Sequence, residues 1–385
     1  MKTIAIDRAN ALCGAIFIAF GLFFAIKASA LEIGTAFRMG PGYFPLVLAS
    51  LLAFLGVVIV LQSLRVAGEP IGPLAWRGMQ VQFWGRDAAL MAEIATTRKN
   101  PRYLPNLELP ANVEVVAHAA DLKPVDMLVF VVPSKGIREA AQLIASSPAA
   151  KSRVAVSCAK GIEMNTGRRM SEILAEFLPQ STIAVLTGPN HAEEVAAQLA
   201  TAAVVACHDE ETAKAVQSCF TLPFFRCYTT DDISGAEWAG AMKNPYAIAA
   251  GIALGLKLGD NAIAALVTRA LAEMVRLGVA MGGRAETFYG LSGVGDLVAT
   301  CYSAHSRNHR VGLLLGQGQP LEQILSSTRM VAEGVLNTAS LHQAARARGV
   351  RTPLLDEIHA VLHEGKSARE GMKALLSRDP RPETE

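Results

Sequence analysis

The sequence predicts a parallel α/β domain followed by an all-helical domain and preceded by a two-helix apolar hairpin. Two long apolar runs fall within residues 11–61. Strand-like and helical patterns then alternate up to Asp232, which is typical of a parallel sheet covered by helices. After Asp232 only helical patterns follow. We therefore predict domains at residues 1–78, 79–232 and 233–385.

The composition limits the classes of function. The chain has 385 residues, enough for two or three domains, and a formal net charge of +2. It has no basic stripe interleaved with aromatic residues, so we expect no nucleic-acid partner. Its six cysteines are scattered without a CxxC pair. This spacing favours reduced thiols and argues against a metal site.

The predicted hairpin consists of residues 11–26 and 43–61, joined by a turn rich in Gly and Pro at residues 38–45. The second run is long enough to span a bilayer. The weak bias of positive charges places both ends in the cytoplasm. We thus expect membrane contact through residues 11–61, and a cytoplasmic catalytic part tethered to the inner membrane. A signal peptide or buried helices of a soluble domain are the alternatives.

Seven segments have the short, apolar composition of strands. They are residues 81–85, 113–116, 127–132, 154–157, 183–186, 202–206 and 224–228. Residues 127–132 (MLVFVV) are apolar throughout, as expected of a central parallel strand. Residues 100–105 (NPRYLP) are predicted to be a loop.

Lys243 is the main candidate for acid–base chemistry. It stands with Asn244 at the start of a segment of small apolar residues, which predicts a buried helix. Burial lowers the pKa of a lysine toward the range where it exchanges protons. The alternative is a lysine whose ammonium group reaches the surface from a helix end.

Other polar clusters follow predicted strands or begin helices. Lys160 and residues 187–195 (TGPNHAEEV) come directly after strands, where open α/β sheets bind their ligands. The cluster Ser306-Arg307-Asn308 suits a phosphate group. Together these clusters favour a small phosphorylated alcohol that undergoes proton and hydride transfer. Taken individually, Arg307 is more typical of a surface ion pair than of a phosphate site, and the alternative for Asp296 is a helix cap.

Residues 79–381 resemble bacterial NAD(P)-dependent sn-glycerol-3-phosphate dehydrogenases. The resemblance rests on the order and spacing of several motifs. These are WGRD (84–87), NPRYLP (100–105), VVPS (131–134), AKGIE (159–163), TGPNHAEEVA (187–196), MKNPYAIAAGIALGLKLGDNAIAAL (242–266), ETFYGLSGVGDLVATC (286–301), SRN (306–308) and MVAEGV (330–335). The resemblance implies interconversion of glycerol 3-phosphate and dihydroxyacetone phosphate for glycerophospholipid synthesis, with NAD or NADP as the cofactor.

The same resemblance implies roles for individual residues. Lys243 corresponds to the catalytic proton donor and acceptor at the C2 oxygen. The residues at substrate positions are Lys160, Gly188, Asn190, Lys243, Asp296, Ser306, Arg307 and Asn308. Those at cofactor positions are Arg86, Lys160, Ala192, Arg307, Val331 and Glu333. Asn190 departs from the Ser or Thr that is common in the family.

The chain also departs from the family in its first βα unit. The family begins with a strand and a Gly-rich turn that receives the pyrophosphate. No G-x-G-x-x-G motif follows a strand in this sequence. We therefore expect an incomplete Rossmann-type sheet with two open strand edges and greatly weakened cofactor binding. A genuine fusion, a truncated gene joined to its neighbour, and a hairpin folded back onto the sheet are the competing explanations.

The apolar hairpin resembles the start of the small membrane subunit of tripartite tricarboxylate transporters. That resemblance rests on the two apolar runs and the turn RMGPGYFP (38–45). It leaves a second class of function open, a catalytically inactive membrane-anchored fusion or a transporter-subunit fragment that carries a passenger domain. Among enzymes, a β-hydroxy acid dehydrogenase is the runner-up, disfavoured by the phosphate cluster. A homodimer is an open alternative for the assembly state.

Overall fold

The computed structural model forms two compact units, residues 1–75 and residues 76–385. The structure describes residues 8–31, 34–35, 38–39, 46–52, 54–55, 57–58, 79–164, 166–327, 333–380 and 382–383.

The first unit contains the N-terminal helix Arg8–Ser29 and an antiparallel pair of two-residue strands, Gly34–Thr35 and Arg38–Met39. The N-terminal helix includes the first predicted apolar run, whereas much of the second run lies outside the described residues. Within the part of the chain that the structure describes, no helix is both long and apolar enough to cross a membrane. The two predicted transmembrane spans are therefore not supported.

All seven predicted strands are present in the second unit. The strands there, including a short hairpin, are β1 (Val81–Trp84), β2 (Lys99–Asn100), β3 (Leu104–Glu108), β4 (Val113–Val116), β5 (Met127–Phe130), β6 (Val154–Ser157), β7 (Thr182–Thr187), β8 (Thr201–Ala206) and β9 (Phe225–Thr230).

The main sheet has the strand order β9-β8-β7-β6-β5. Its neighbours are parallel except for β7 and β8, which run antiparallel with Val205 opposite Leu186. The prediction of an entirely parallel sheet is therefore wrong at this pair. The connection from β7 to β8 holds only the five-residue helix α4 (Ala192–Ala196). A crossover to a parallel strand usually carries a longer helix that packs on the sheet, so here the chain returns antiparallel alongside β7.

Strands β1 and β4 form a separate parallel pair. The Gln82 side chain of β1 links this pair to the segment before β5, because it accepts from the Lys123 backbone N–H at 2.8 Å and donates to the Lys123 carbonyl at 3.4 Å. Among the described strands none lies between β1 and β5. Within the described residues the two parallel groups are therefore not joined by a strand, as expected of an incomplete sheet.

The predicted loop at residues 100–105 is a turn only at residues 101–103, because β2 and β3 include its ends and pair antiparallel. The side-chain oxygen of Asn100 accepts from the backbone N–H groups of Arg102 and Tyr103, each at 3.3 Å. Asn side chains stabilise tight turns in this way. The turn reverses the chain within a few residues and brings the two strands together.

The helices of the second unit dominate its C-terminal half, as predicted. They are α1 (Ala88–Thr97), α2 (Ile137–Ala145), α3 (Met170–Phe177), α4, α5 (Glu210–Phe220), α6 (Ile233–Gly255), α7 (Asp260–Ala280), α8 (Ala285–Phe288), α9 (Asp296–Tyr302), α10 (Arg307–Gly316), α11 (Leu321–Ser327), α12 (Glu333–Ala347), α13 (Pro353–His363) and α14 (Ala368–Leu376). Short 3₁₀ turns occur at Ala119–Asp121, Ser134–Gly136 and Pro148–Lys151, and a π-helical turn at Leu291–Gly295.

Helix α6 is the centre of the helical part, and nearly all its residues are buried. The side chain of Asp232 begins it by accepting from the Gly235 N–H at 2.8 Å. Lys243 therefore lies in the middle of a helix, not at its start as predicted. The helix continues through Pro245, whose ring normally breaks a helix interior. Tertiary burial on all sides overrides this local signal.

Two glycines let α6 and α10 approach closely. A Cβ atom on Gly251 would lie 2.0 Å from the His309 carbonyl oxygen, and one on Gly312 would lie 1.9 Å from that of Ile248. Only glycine permits such contact between helix backbones. The close crossing brings the start of α10 next to the middle of α6, where Lys243 lies.

Candidate active site

Two lysines from different elements share one buried carboxylate. Lys243 Nζ of α6 donates to Asp296 Oδ1 at 2.5 Å, and Lys160 Nζ donates to Asp296 Oδ2 at 2.8 Å. Lys243 is 6% and Asp296 is 1% exposed. Thr300, one turn after Asp296 on α9, accepts from Lys243 Nζ at 2.8 Å. The alternatives of an exposed Lys243 and of Asp296 as a helix cap are therefore wrong.

Burial and neighbouring charges set the protonation of this group. Desolvation lowers the pKa of Lys243 from 10.5 to about 8, with Asp296 opposing the shift and Lys160 adding to it. Burial alone would raise the pKa of Asp296, but Lys160 and Lys243 together hold it below its usual value. Asp296 is therefore ionised near neutral pH, whereas Lys243 exchanges its proton there.

Lys160 also ties the site to the turn after β7. Its ammonium group donates to the Gly188 carbonyl at 2.6 Å and to Asn190 Oδ1 at 2.8 Å. Gly188 has a φ of +135°, a conformation that other residues rarely adopt. The turn can therefore direct both oxygens at Lys160. The geometry brings together the predicted residues Lys160, Gly188, Asn190, Lys243 and Asp296.

A chain of amides fixes the Lys160 backbone. Asn244 donates to the Lys160 carbonyl at 3.3 Å and accepts from Asn308 at 2.9 Å. Asn308 in turn accepts from the Gly334 N–H at 2.9 Å. Asn337 of α12 donates to the same Lys160 carbonyl at 3.2 Å. These contacts join α6, α10 and α12 around the loop that carries Lys160.

In the predicted phosphate cluster, two of the three side chains make contacts within the fold and one is exposed. Ser306 caps α10 by accepting from the His309 N–H at 3.2 Å, and the Asn308 side chain belongs to the amide chain. Arg307, the first residue of α10, is exposed. Of the three side chains, Arg307 is thus the one positioned to meet a phosphate from solvent, beside the N-terminus of α10.

The predicted cofactor residues are spread over several elements. Glu333 accepts from the Ser134 N–H at 2.9 Å, which joins the start of α12 to the turn after β5. Ala192 is the exposed first residue of α4. Arg86 is exposed and pairs with Glu139 at 2.7 Å. Val331 lies outside the described residues.

Two family models match this chain. The one described as NAD-dependent glycerol-3-phosphate dehydrogenase N-terminus matches residues 39–213, and the one described as its C-terminus matches residues 232–373. A glycerol-3-phosphate dehydrogenase [NAD(P)+] of Moorella thermoacetica is 45% identical over 313 residues, which cover 81% of this chain and 93% of the relative. The chain belongs to the NAD-dependent glycerol-3-phosphate dehydrogenase family. The predicted oxidoreductase class and NAD(P) cofactor are confirmed.

A second relative and a solved structure support the same family assignment. The glycerol-3-phosphate dehydrogenase [NAD(P)+] of Streptomyces coelicolor is 46% identical, with 80% of this chain and 93% of the relative covered. The crystal structure of glycerol-3-phosphate dehydrogenase from Coxiella burnetii has a TM-score of 0.75 and 37% identity, covering 79% of this chain and 94% of that one. The Rossmann-like α/β part followed by a helical part is thereby confirmed as the fold.

Sequence reasoning missed two residues of this dehydrogenase site, Thr300 and Asn337, and named a third, Asn244, without giving it a role. Thr300 follows Asp296 by four residues in a helical pattern, so the spacing placed both on one helix face. Asn244 was visible beside Lys243 as an amide within an apolar segment. Asn337 gave no signal, because polar residues on a C-terminal helix are ordinarily exposed.

Proposed function

We propose that the chain interconverts sn-glycerol 3-phosphate and dihydroxyacetone phosphate, with Lys243 as the general acid and base at the C2 oxygen. The observation that carries this role is the buried ion pair of Lys243 with Asp296, together with a pKa of Lys243 near 8. A group whose pKa lies close to the working pH transfers protons efficiently in both directions. Glycerophospholipid synthesis is the pathway we infer for the product.

The other residues bind and orient the substrate in this proposal. Asp296 holds the Lys243 ammonium group in place, and Lys160 adds a second positive charge beside it. Arg307 binds the phosphate group, supported by the N-terminus of α10. Gly188 and Asn190 position Lys160, whereas Ser306 and Asn308 shape the start of α10.

The family cofactor fits the described residues only in part. Arg86 would contact the adenosine ribose or its phosphate. The remaining parts of the cofactor would be contacted by Ala192, Glu333, Lys160 and Arg307. NAD(P), when bound, supplies or accepts the hydride at C2. The described residues do not form a binding site for the pyrophosphate of the cofactor. The sequence has no G-x-G-x-x-G motif after a strand, and none of the described strands joins β1 to β5. We infer greatly weakened cofactor binding.

Rates of NADH and NADPH oxidation with dihydroxyacetone phosphate test the activity. We expect dependence on the substrate, and a loss of roughly 10²- to 10⁴-fold in Lys243→Ala. Lys214→Ala, an exposed lysine paired with Glu210, is the matched control and should retain the wild-type rate. Turnover that persists in Lys243→Ala would contradict the role of Lys243. Micromolar affinity for either nucleotide in a direct titration would contradict weakened cofactor binding.

We infer membrane contact of the transporter-like hairpin as a separate hypothesis. It is supported by large apolar side chains that are exposed on the N-terminal helix, among them Phe20 at 56% and Ile26 at 70%. Membrane fractionation with and without residues 1–75 tests it, and recovery of the full chain in the soluble fraction would contradict it. The inner-membrane tether, the cytoplasmic location and the homodimer stay predictions.

A further inference from the structure

The end of β7 and the turn after it carry two buried polar atoms that have no role in the site described above. His191 Nε2 and Thr187 Oγ1 are both shielded from solvent, and neither has a hydrogen-bond partner among the described residues. A buried polar atom without a partner costs about 1–3 kcal/mol. Such atoms are therefore usually satisfied by a ligand or by water.

His191 borders the proposed active site. Its neighbour Asn190 accepts from Lys160, and the charges of Lys243, Asp296 and Lys160 all act on its imidazole. It also lines an open cavity of about 420 Å³. Ala299 lines the same cavity and precedes Thr300, which accepts from Lys243. The cavity thus borders the turn of α9 that contacts Lys243.

The chemistry of the cavity disfavours a phosphate group. Its lining residues include Glu194, which carries a carboxylate, and Tyr302 and Ser303, which carry hydroxyl groups. Burial, and then the positive charge of Lys243, lower the pKa of His191 below 6.5, so its imidazole is neutral at neutral pH. A carboxylate beside a neutral imidazole repels a phosphate dianion, whereas both accept a hydrogen bond from a neutral hydroxyl.

We propose that His191 determines substrate specificity by binding the unphosphorylated terminal hydroxyl of the three-carbon substrate. This inference rests on the proposed function, in which Lys243 acts at the C2 oxygen and Arg307 binds the phosphate. The terminal hydroxyl is then the substrate oxygen that has no assigned partner. His191 lines the cavity and directly follows Asn190, which accepts from Lys160, so it lies next to the residues that surround C2 in this proposal.

The test compares two ligands that differ by this hydroxyl. Dihydroxyacetone phosphate and hydroxyacetone phosphate are titrated calorimetrically onto the full chain. The wild type should bind dihydroxyacetone phosphate about 10- to 100-fold more tightly, as expected when a site built for a hydroxyl receives a ligand without it. In His191→Phe the ratio of the two dissociation constants should fall to near 1, because only the affinity for dihydroxyacetone phosphate decreases.

Controls separate this role from a structural one. His208→Phe, at an exposed histidine, should keep the wild-type ratio. If His191→Phe fails to fold by circular dichroism, His191→Asn, which retains hydrogen-bonding groups, replaces it and should give an intermediate ratio. An equal loss of affinity for both ligands in the variant, or no discrimination by the wild type, would overturn the proposal. If the wild type discriminates between the two ligands but does not oxidise NAD(P)H, only the proposed activity is contradicted.

Discussion

Lys243 and Asp296 lie 53 residues apart in sequence, yet their Nζ and Oδ1 atoms are 2.5 Å apart in the buried centre of the site. Lys160 pairs with the other carboxylate oxygen at 2.8 Å. When both lysines are protonated, the group of three carries a net positive charge. Such a charge attracts a phosphorylated substrate and stabilises negative charge that develops on the C2 oxygen.

Replacing Asp296 by Asn should destabilise the protein by roughly 3–5 kcal/mol, because buried Lys243 and partly buried Lys160 lose their common partner. Urea unfolding at pH 7 measures the loss. The matched control is Asp231→Asn, since Asp231 pairs with Arg284 at the surface. Exposed pairs contribute about 0–1 kcal/mol. An equal effect of the two substitutions would contradict the importance of the buried pair.

The pH dependence of the rate should follow the ionisation of Lys243. Reduction of dihydroxyacetone phosphate needs the protonated lysine, so its kcat/KM should fall as the pH rises through about 8. Oxidation of glycerol 3-phosphate needs the neutral lysine and should increase over the same range. Initial rates in both directions between pH 6 and 10 check this expectation.

Substitutions of the two neighbours should shift this profile in opposite directions. Asp296 raises the pKa of Lys243 and Lys160 lowers it. The transition should therefore move to lower pH in Asp296→Asn and to higher pH in Lys160→Gln. A shift of the same sign in both variants would show that another group controls the rate.

Glu273 should make the folded protein less stable as the pH rises from about 4.5 to about 7. Burial raises the pKa of Glu273 from 4.5 to about 7, although the Leu354 and Leu355 N–H groups and the Tyr246 hydroxyl donate to it. In this window the folded state binds more protons than the unfolded state, so the free energy of unfolding falls by roughly 3 kcal/mol. Denaturant unfolding at several pH values measures the slope.

The Glu273→Gln variant isolates this contribution. It removes the ionisation, so the decline between pH 4.5 and 7 should flatten. Glu114→Gln is the control, because Glu114 is an exposed residue paired with Lys123 and should leave the slope unchanged. If the unfolding free energy of Glu273→Gln depends on pH as steeply as that of the wild type, a group other than Glu273 binds the proton.

Arg86→Ala should weaken NADPH binding more than NADH binding. In the proposed role the Arg86 guanidinium contacts the ribose phosphate that only NADP carries, and hydrogen bonds to charged groups account for about 10- to 100-fold in affinity. Equilibrium titration of both nucleotides gives the ratio. Arg102→Ala, another exposed arginine, pairs with Asp87 and should leave the ratio unchanged. Equal weakening of both nucleotides by Arg86→Ala would contradict the contact.

The sequence was most informative about which segments are strands and which motifs belong to the family. Residues 127–130 were recognisable as a strand because they are continuously apolar. The prediction that this strand is central is wrong, since β5 lies at the edge of the main sheet. The direction of pairing was not recognisable, because β8 has the same apolar alternation whether it runs parallel or antiparallel to β7. The antiparallel pair goes with the five-residue helix α4. The shortness of this helix is visible only in the structure.

The site was predictable residue by residue only through the family motifs. Lys160, Lys243 and Asp296 come from three distant segments, and no periodicity indicates that they meet. The position of Lys243 within its helix was misjudged, because the run of small apolar residues follows Lys243, whereas the helix already begins at Ile233. His191 and Asn337 could not be found from sequence, since their roles depend on burial and on partners across the fold.

The open edge of β5 has a consequence for handling the protein. Its outer side has no described strand partner, and Val129 and Val131 are 41% and 75% exposed there. Unpaired, apolar strand edges act as templates for pairing with other chains. We therefore expect the purified protein to self-associate as its concentration rises. A charged residue at position 131 should suppress this association.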